Sequence, residues 1–518
     1  MTSEIPLNVL FICSDQWRGD CLSALSHPTV KTPHIDELAQ GGVLFRNHFT
    51  QCTPCGPSRT SLLTGLYLMN HRSGRNGTPL DARHSNVALE MRKGGYDPVL
   101  FGYTDTSLDP RGRHPNDPVL RAYDEGVMPG FRPVLHLPEH MGPWVADLKA
   151  KGYGIKGRED VYAPRAGFKK PEDRGHRYIP AAYEARDSDT AFVTDRMIEW
   201  LTVQDRAKPW FAHLVYLRPH PPFIAPEPYN RMYDPADVPA PRRHASPQKT
   251  AGEHPFLDYC IGNFARKSGY DEHNPHILLS LSDLELRQMR AAFYGLMSEV
   301  DFHLGRLVDH LKASGQYDNT LIIFTSDHGE MLGDQYIWGK EIFFDPAMHV
   351  PLVIRDPRRE ADRTRGRIVE ELTEAVDVMP TILESVRLDV PRAADGQSLR
   401  PFLCEEMVAG WRDAAFWEHD FRDVVNLRPE AALGLVPDEC NYAVLRGKTH
   451  KYVHFAGLPP LLFNIKDDPH EMENLADRPG SERIMLEMAQ AMLSKRQVHA
   501  DRTLTNMFLT SEGLFSRK

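Results

Sequence analysis

The sequence predicts an α/β fold in which helices cover both faces of a large, mostly parallel β-sheet, followed by a smaller α+β subdomain. Two observations lead to this fold class. Up to about residue 400, short apolar runs of strand length alternate with segments whose apolar residues recur at helical spacing. Beyond that point, two strand patterns precede a single closing helix pattern. The first kind of alternation is typical of βαβ units, so we predict a division into residues 1–400 and 401–518.

The large unit begins with a buried strand. Residues 8–13 (NVLFIC) and 97–103 (DPVLFGY) are apolar runs, as expected of strands that are covered on both faces. Between them, residues 57–69 carry apolar side chains at helical spacing. These three segments predict the start of a layered α/β sheet.

The longest helix pattern covers residues 282–311. Its apolar side chains recur every three or four positions, and Ser282 with Glu285 forms the capping-box pattern at its start. A further apolar strand, residues 321–326 (LIIFTS), follows it and ends at Asp327.

Residues 110–280 are rich in proline, histidine and charged side chains. We interpret them as long insertions over an edge of the sheet, with one strand-like run at 210–217. In the smaller unit, residues 451–455 and 461–465 have the pattern of antiparallel strands, and residues 481–496 that of a closing helix.

Composition and charge argue against several classes of protein. The 518 residues carry 61 Lys and Arg against 71 Asp and Glu, a net charge of −10, which disfavours a broad nucleic-acid surface. No apolar run approaches the roughly 18 residues of a membrane span. The start of the chain, MTSEIP, lacks the basic region of a signal peptide. Seven cysteines form an odd, sparse set that suits a reducing compartment, so we expect a cytoplasmic protein.

A nucleophile and a cation stand together in Cys55-Gly-Pro-Ser-Arg59. Pro57 suits the first position of a helix, which places Cys55 at the N–H-rich end that favours an anion. Arg59 follows one turn later and can face the same place. As an alternative, Cys52 and Cys55 could form a redox pair or half of a zinc site, but the chain has no second Cys-x-x-Cys. The pattern therefore indicates a cradle for a sulfuryl or phosphoryl group.

The eleven residues from Cys55 to Gly65 (CGPSRTSLLTG) resemble the signature of the sulfatase family, within the alkaline phosphatase superfamily. In that family a formylglycine-generating enzyme oxidises the cysteine of Cys-x-Pro-Ser-Arg to formylglycine. The resemblance implies the family's α/β fold, a hydrated aldehyde at residue 55 as the nucleophile, and a small-molecule ester as the substrate.

Acidic residues follow two of the predicted strands. Asp15 follows the first strand, and Asp327 and His328 follow the strand at 321–326. In open α/β sheets ligands bind beyond the carboxyl ends of the strands, and two carboxylates with one imidazole can hold a divalent cation. The resemblance also implies one divalent metal ion, and an imidazole among oxygens favours manganese or zinc over calcium. The candidate metal ligands are Asp15, Gln16, Cys55, Asp327 and His328.

Gln16 and His328 stand where many sulfatases carry Asp and Asn, and in this the chain resembles the phosphonate monoester hydrolases and their dimeric arylsulfatase relatives. The likeness spans nearly the whole chain. It includes residues 8–18, 66–72 and 218–222. Carried over position by position, the resemblance implies that Asn76, Tyr103, His220 and Lys340 line the pocket.

One position departs from that branch. Asp105 lies two positions after Tyr103, at a place where the phosphonate hydrolases carry threonine. A carboxylate facing the pocket would repel dianionic phosphate monoesters, since a like-charge contact in a partly dry site costs on the order of a few kcal/mol. It also accepts hydrogen bonds where threonine can donate them, which should disfavour phosphonates more than sulfates. The alternative is that Asp105 points to solvent.

These observations predict a formylglycine-dependent, metal-dependent hydrolase of monoanionic esters. We expect Cys55 to supply the nucleophile, Arg59 and Lys340 to balance charge on the substrate oxygens, and His220 or Lys340 to act as the general acid. Sulfate monoesters, as in arylsulfatases, are the expected substrates. The first alternative is a phosphonate monoester hydrolase and phosphodiesterase, and the second is an inactive binding relative. Substrate binding is assigned to Asn76, Tyr103 and Asp105.

Residues 501–518 contain many apolar side chains. So many apolar residues at a terminus need a partner surface, and the related hydrolases are dimers or tetramers. We therefore expect a homodimer or homotetramer. The apolar residues concerned are Leu504, Met507, Phe508, Leu509, Leu514 and Phe515.

Overall fold

The computed structural model describes residues 6–121, 126–138, 140–264, 278–406 and 408–516. Its strands form an eight-stranded sheet, a four-stranded sheet and a terminal hairpin. The strands are β1 (Asn8–Ser14), β2 (Val43–Phe49), β3 (Pro98–Gly102), β4 (Arg132–His136), β5 (Phe211–Tyr216), β6 (Thr320–Ser326), β7 (Leu352–Arg355), β8 (Arg367–Glu374), β9 (Ala415–Asp420), β10 (Asn441–Arg446), β11 (Lys451–Phe455), β12 (Leu461–Phe463), β13 (Met507–Thr510) and β14 (Gly513–Ser516).

Helices of very different length connect these strands. The α-helices are α1 (Pro33–Gln40), α2 (Cys55–Thr64), α3 (Leu68–His71), α4 (Val87–Lys93), α5 (Gly142–Ala150), α6 (Arg158–Val161), α7 (Asp189–Thr202), α8 (Pro247–Gly252), α9 (Pro255–Phe264), α10 (Asp283–Ala313), α11 (Asp345–Met348), α12 (Val378–Ser385), α13 (Arg400–Leu403), α14 (Arg428–Leu433) and α15 (Glu482–Val498).

The residues of β1 alternate between two hydrophobic cores, because successive side chains of a strand point to opposite faces of the sheet. Leu10 and Ile12 belong to the core that includes residues of α1, α7 and α10. Val9 and Phe11 belong to the core on the other face, which includes residues of α2, α4 and α12. Helices therefore cover both faces of the large sheet, which confirms the predicted fold class.

The strand order of the large sheet is β4-β3-β5-β1-β6-β7-β2-β8. Among these strands, β7 pairs antiparallel with both of its neighbours, and the remaining pairs are parallel. The strand predicted at 210–217 is β5, which lies between β3 and β1. The prediction that this strand belongs to an insertion over the edge of the sheet was wrong. An apolar run indicates that a strand is buried, but it does not indicate which strands lie beside it.

The single helix predicted over 57–69 is two helices. α2 begins at Cys55, two positions before Pro57, and its C-terminal cap is Gly65 with a left-handed φ of 68°. Glycine adopts this conformation without the steric penalty of a Cβ. The chain turns there, and α3 begins at Leu68.

α10 is the long helix predicted over 282–311. The Ser282 hydroxyl caps it by accepting a hydrogen bond from the Glu285 N–H at 3.2 Å. Its buried face includes Phe293 and Leu304 in the first core. Among the described residues no helix, α10 included, is both long enough and apolar enough to cross a lipid bilayer.

The small sheet has the antiparallel order β12-β11-β10-β9, and α15 follows it. Its core continues into the large unit, since Phe455 and Phe463 both pack against Phe343 at ring distances of 6.3 and 6.1 Å. The division near residue 400 stays a prediction. The hairpin formed by β13 and β14 is exposed along its whole length, with Leu509 82% exposed.

Candidate active site

Two neighbouring strands deliver the acidic residues to one place. β1 and β6 are parallel, with Ser14 opposite Ser326. The next residues, Asp15 and Asp327, therefore leave the carboxyl edge of the sheet side by side, where ligands bind in such sheets. Both side chains are buried. The N–H of Gln16 donates to Asp327 Oδ1 at 3.0 Å, which ties the two strand ends together.

Cys55 reaches the same place as the first residue of α2, and it is 6% exposed. The N–H of Gly56 donates to Asn76 Oδ1 at 2.9 Å. A Cβ at Gly56 would lie 2.8 Å from the carbonyl oxygen of Asp105, so the close approach of these two backbones requires glycine. The helix start thus presents the Cys55 side chain at its positive end.

Four side chains offer ligand atoms within 4.8 Å of one another, namely those of Asp15, Cys55, Asp327 and His328. His328 Nε2 lies 3.2 Å from Cys55 Sγ, while Nδ1 donates to the Gly329 carbonyl at 3.1 Å. Metal-ligating histidines commonly donate their second nitrogen in this way. Burial lowers the pKa of His328 to about 4, so the imidazole is neutral, as a ligand must be. Asp15 Oδ1 is buried without a hydrogen-bond partner among the described residues, and the donor set fits a divalent cation.

Gln16 supports Lys340. Its Nε2 donates to the Glu330 carboxylate, and its Oε1 accepts from Lys340 Nζ at 2.8 Å. Lys340 Nζ also lies 3.1 Å from Cys55 Sγ. Glu330, which the sequence analysis did not identify, accepts the N–H of Gly339 at 2.7 Å and so fixes the loop that carries Lys340. A role for Gln16 as a metal ligand stays a prediction.

The charges around Cys55 keep Lys340 protonated. Burial alone would lower the pKa of Lys340, but its hydrogen bond to Cys55 Sγ and the carboxylates of Asp15 and Asp327 raise it above its ordinary value. Burial raises the pKa of the Cys55 thiol, and Asp15 raises it further. The pKa of Asp327 is lowered to about 2, because the neighbouring imidazole and cations outweigh its burial. The site therefore holds a fixed ammonium beside a neutral thiol.

Protein groups surround the Arg59 guanidinium, which is 1% exposed. Its Nη2 donates to Asp15 Oδ2 at 2.8 Å and its Nε to Asp327 Oδ2 at 3.0 Å. A carboxylate oxygen of Asp105 lies 3.2 Å from Nε, and the Tyr103 ring packs against the guanidinium at 4.3 Å. These contacts hold two candidate metal ligands in place, while the expected action of Arg59 on substrate oxygens stays a prediction.

A cavity of about 220 Å³ opens at Cys55. Part of its wall is apolar, with Leu137, Met141 and Leu217. Such a mixture of apolar surface and a few convergent polar groups is typical of small-molecule sites. Four of the residues predicted to lie in the pocket line this cavity, namely Asn76, Tyr103, Asp105 and His220. Lys340 does not line it but contacts Cys55, which does.

Tyr103 and Asp105 enter the cavity just after β3. The Tyr103 hydroxyl donates to Asp15 Oδ2 at 2.7 Å, so this side chain also positions a candidate metal ligand. Asp105 has a left-handed φ of 49°, which costs a non-glycine residue on the order of 1 kcal/mol. Its carboxylate is 17% exposed and turns toward Arg59, so the alternative in which it points to solvent is wrong.

His220 lies in the loop after β5. Its Nδ1 is 2.6 Å from the Pro221 carbonyl, which can only accept, so Nδ1 carries the proton. Burial lowers the pKa of His220 well below its ordinary value, and the charge of Lys340 lowers it further. Beneath the loop, the buried Arg218 donates to the His220 carbonyl at 3.1 Å and pairs with Asp189 at 3.3 Å. The imidazole is thus held neutral on a braced loop.

Two family models match the chain. The model described as Sulfatase matches residues 7–387, a range that contains every site residue described above. The model described as N-sulphoglucosamine sulphohydrolase, C-terminal, matches residues 333–498, which include the small sheet and α15.

Three known proteins show how the chain relates to that family. The multifunctional alkaline phosphatase superfamily protein PehA of Trinickia caryophylli is 43% identical over 98% of this chain and 99% of its own length. The crystal structure of the phosphonate monoester hydrolase of Agrobacterium radiobacter superposes with a TM-score of 0.94 at 47% identity, covering 99% of this chain and all of that one. An arylsulfatase of Clostridium perfringens is 27% identical over 90% of each chain.

Proposed function

Because the chain belongs to the sulfatase family, within the alkaline phosphatase superfamily, and is a hydrolase of that family, we propose that it cleaves phosphonate monoesters and related phosphodiesters. The nucleophile is a formylglycine made from Cys55 by a formylglycine-generating enzyme. The reacting groups are organic phosphorus esters that carry a single negative charge.

The position of Cys55 carries this proposal. Its Sγ lies 3.1 Å from Lys340 Nζ and 3.2 Å from His328 Nε2, at the floor of a cavity and among the carboxylates of Asp15 and Asp327. Three features therefore meet at Cys55: the start of a helix, the ammonium of Lys340, and side chains that can bind a metal ion. That convergence also argues against an inactive binding relative.

Asp15, Asp327, His328 and the residue at position 55 would hold one divalent cation, with manganese, zinc and calcium as candidates. The unpartnered Asp15 Oδ1 and the imidazole oriented by its second nitrogen support this assignment. When bound, the metal would supply positive charge that makes an oxygen nucleophile more acidic and stabilises charge on the substrate.

The chain's own residues supply the remaining roles. The Lys340 ammonium balances negative charge on the phosphoryl oxygens. Asn76 uses its Oδ1 on Gly56, which leaves its NH₂ group as a donor to the substrate. The Nδ1–H of His220 is fixed on Pro221, so Nε2 is the nitrogen that faces the leaving oxygen, and it acts as the acid once the ring has taken up a second proton there. An anionic substrate beside this ring raises its pKa and favours that protonation.

The charge of the site supports a monoanionic substrate. In the cluster around Cys55, the three carboxylates of Asp15, Asp105 and Asp327 stand beside the two cations Arg59 and Lys340. This cluster has one excess negative charge, and Arg158 lies outside it, in the wall of the cavity. A divalent metal converts this to one excess positive charge. A monoanion neutralises it and a dianion exceeds it, and buried charges are stable only when they are compensated.

Phosphonate monoesters and phosphodiesters thus replace sulfate monoesters as the first candidate substrates. In the sequence, Asp105 favoured sulfate monoesters, because its departure from threonine was the one visible difference from the phosphonate hydrolases. The overall likeness supports the other order, since the phosphonate monoester hydrolase is 47% identical and the arylsulfatase 27%. Sulfate monoesters remain the second candidate.

A comparison of substrates that share a leaving group tests the proposal. The full chain, produced together with a formylglycine-generating enzyme, is assayed on p-nitrophenyl phenylphosphonate, p-nitrophenyl sulfate and p-nitrophenyl phosphate. We expect kcat/KM to be highest for the phosphonate, and Cys55→Ala to abolish turnover of all three. A higher kcat/KM for the sulfate would overturn the preference.

We also propose that the chain forms a homodimer or homotetramer through the hairpin of β13 and β14. Phe508 is 69% and Leu514 is 61% exposed. A two-stranded hairpin is marginal in water by itself, and an exposed apolar patch of this kind is typical of an interface.

A further inference from the structure

A second cavity, of about 340 Å³, lies next to the one at Cys55. The residues that line the two cavities do not overlap, but at two points a lining residue of the second cavity is the direct chain neighbour of an active-site residue. Arg75 lines the second cavity and its neighbour Asn76 lines the first. Glu341 lines the second cavity, and its neighbour Lys340 contacts Cys55 Sγ at 3.1 Å. A group in the second cavity is therefore adjacent to the residues that bind the reacting centre.

A third connection runs through the loop before α2. His419 lines the second cavity and its Nδ1 donates to the Thr53 carbonyl at 3.0 Å, two residues before Cys55. The wall of the second cavity is thus attached to the nucleophile's own loop as well as to its two polar neighbours.

The second cavity is aromatic. Phe256 and Tyr259 project from α9, and Phe421 follows β9, with the rings of Phe256 and Phe421 4.7 Å apart. Aromatic walls of this kind favour offset or edge-on contacts with another ring. They give the cavity the character of a subsite for an organic group.

The charged residues of this cavity offset one another. Arg75 pairs with Glu341 at 3.4 Å and donates to the carbonyl of Arg422. Asp423 and Arg428 add one charge of each sign at the rim. Among the described residues that line it, the cavity therefore has no excess charge to hold a phosphoryl or sulfuryl anion, and it suits an uncharged aryl or similar organic group.

We propose that the second cavity binds the organic group that remains on phosphorus, while the first cavity, which contains His220, holds the leaving alcohol. This assignment rests on the proposed function and deepens it. Phosphonate monoesters and phosphodiesters carry two organic groups on phosphorus, whereas a sulfate monoester carries one. Two organic subsites beside one nucleophile match the class with two substituents.

Binding of two stable monoanions tests the assignment. Diphenylphosphinate carries two aryl groups and benzenesulfonate carries one, and neither contains an ester bond. Titration calorimetry on the full chain is done with the wild type, Tyr259→Ala and the matched control Tyr259→Phe. We expect Tyr259→Ala to weaken diphenylphosphinate about tenfold and to leave benzenesulfonate within about twofold, while Tyr259→Phe, which keeps the ring, leaves both unchanged.

A second variant covers the case in which Tyr259→Ala does not fold. Tyr259→Trp places a larger ring in the wall of the cavity, and it should likewise weaken diphenylphosphinate selectively. Equal weakening of both anions, or of neither, would overturn the subsite. Because neither compound is hydrolysed, this outcome is independent of whether the chain turns over phosphonates faster than sulfates.

Discussion

Arg59 Nε lies 3.2 Å from a carboxylate oxygen of Asp105, at the wall of the substrate cavity. The same guanidinium binds Asp15 and Asp327, the proposed metal ligands. Asp105 therefore shares a cation with the metal site while it adds negative charge where the substrate binds. A residue in this position is expected to control which substrate charge the site accepts.

Replacing Asp105 by threonine removes that negative charge. We expect kcat/KM for the dianionic p-nitrophenyl phosphate to rise about tenfold or more relative to monoanionic esters, since a like-charge contact costs on the order of a few kcal/mol. The ratio of phosphonate to sulfate hydrolysis should also rise, because threonine can donate a hydrogen bond. Asp105→Asn is the isosteric control and should act in the same direction on the dianion. Unchanged ratios in both variants would contradict the role of the charge.

One divalent metal ion per chain is expected, and its retention should depend on Asp327. Asp327→Asn removes an anionic ligand, so elemental analysis after dialysis should find the metal lost from the variant and kept by the wild type. Asp105→Asn is the matched control, because Asp105 also contacts Arg59 but lies outside the donor cluster. If Asp327→Asn keeps a full complement of metal, the ligand assignment is incorrect.

Cys55 is expected to be formylglycine when the chain is made with a converting enzyme, and Cys52 serves as the internal control. Cys52 is buried, and its Sγ lies 3.3 Å from Ser61 Oγ. After unfolding, alkylation and digestion, mass spectrometry should find Cys52 alkylated and residue 55 as the aldehyde. A fully active preparation in which both residues are alkylated would contradict the mechanism.

The terminal hairpin is expected to hold the oligomer together. Phe508→Glu places a charge in the proposed interface and should shift the protein to smaller species in light scattering. Val203→Glu is the matched control, because Val203 is a single exposed apolar residue, 78% exposed, at the end of α7. A monomeric wild type, or an unchanged mass for Phe508→Glu, would refute the hairpin interface.

Glu299 is expected to make stability depend on pH. Burial, helped by the charge of Asp189, raises the pKa of Glu299 from 4.5 to about 8. The folded chain therefore keeps a proton that the unfolded chain loses, and the free energy of unfolding falls by about 1.4 kcal/mol per pH unit as pH rises between these values. Glu299→Gln lacks this proton, so it should be more stable than the wild type at about pH 8.5 and similar to it at about pH 5.

Denaturant unfolding at the two pH values checks this expectation. Glu487→Gln is the control, since its carboxylate is on the exposed face of α15 and 59% exposed, and it should show the wild-type dependence. A stability difference for Glu299→Gln that is the same at both pH values would show that proton uptake by Glu299 is not its source.

Local patterns predicted much of this molecule. β1 and β6 were predicted from apolar runs, and Asp15 and Asp327 from the polar residues that end those runs. These inferences succeed because burial and strand termination are local properties of the chain. That β1 and β6 are neighbours in the sheet depends on the pairing of segments far apart in the chain. This pairing brings the two carboxylates together.

Contacts that depend on distant segments were not predicted. The central position of β5 depends on the strands with which it pairs, and the residues of β5 alone do not identify those strands. The direction of the Asp105 side chain depends on Arg59, 46 positions earlier in the chain. Glu330 had a weak signal, a carboxylate in the run Asp-His-Gly-Glu after the metal ligands. Its action on Gln16 and Gly339 becomes visible only when the loops are in place.

The burial of α2 bears on when Cys55 can be modified relative to folding. All ten residues from Cys55 to Thr64 are buried in the folded protein, so the formylglycine-generating enzyme of the proposed function needs this stretch before the chain has folded. The Ser58 hydroxyl finally donates to the carbonyl of Asp327, which lies 269 residues further along the chain. During synthesis the signature therefore leaves the ribosome long before its partner exists. If Cys55 is converted as proposed, that delay is an interval in which the enzyme can reach it.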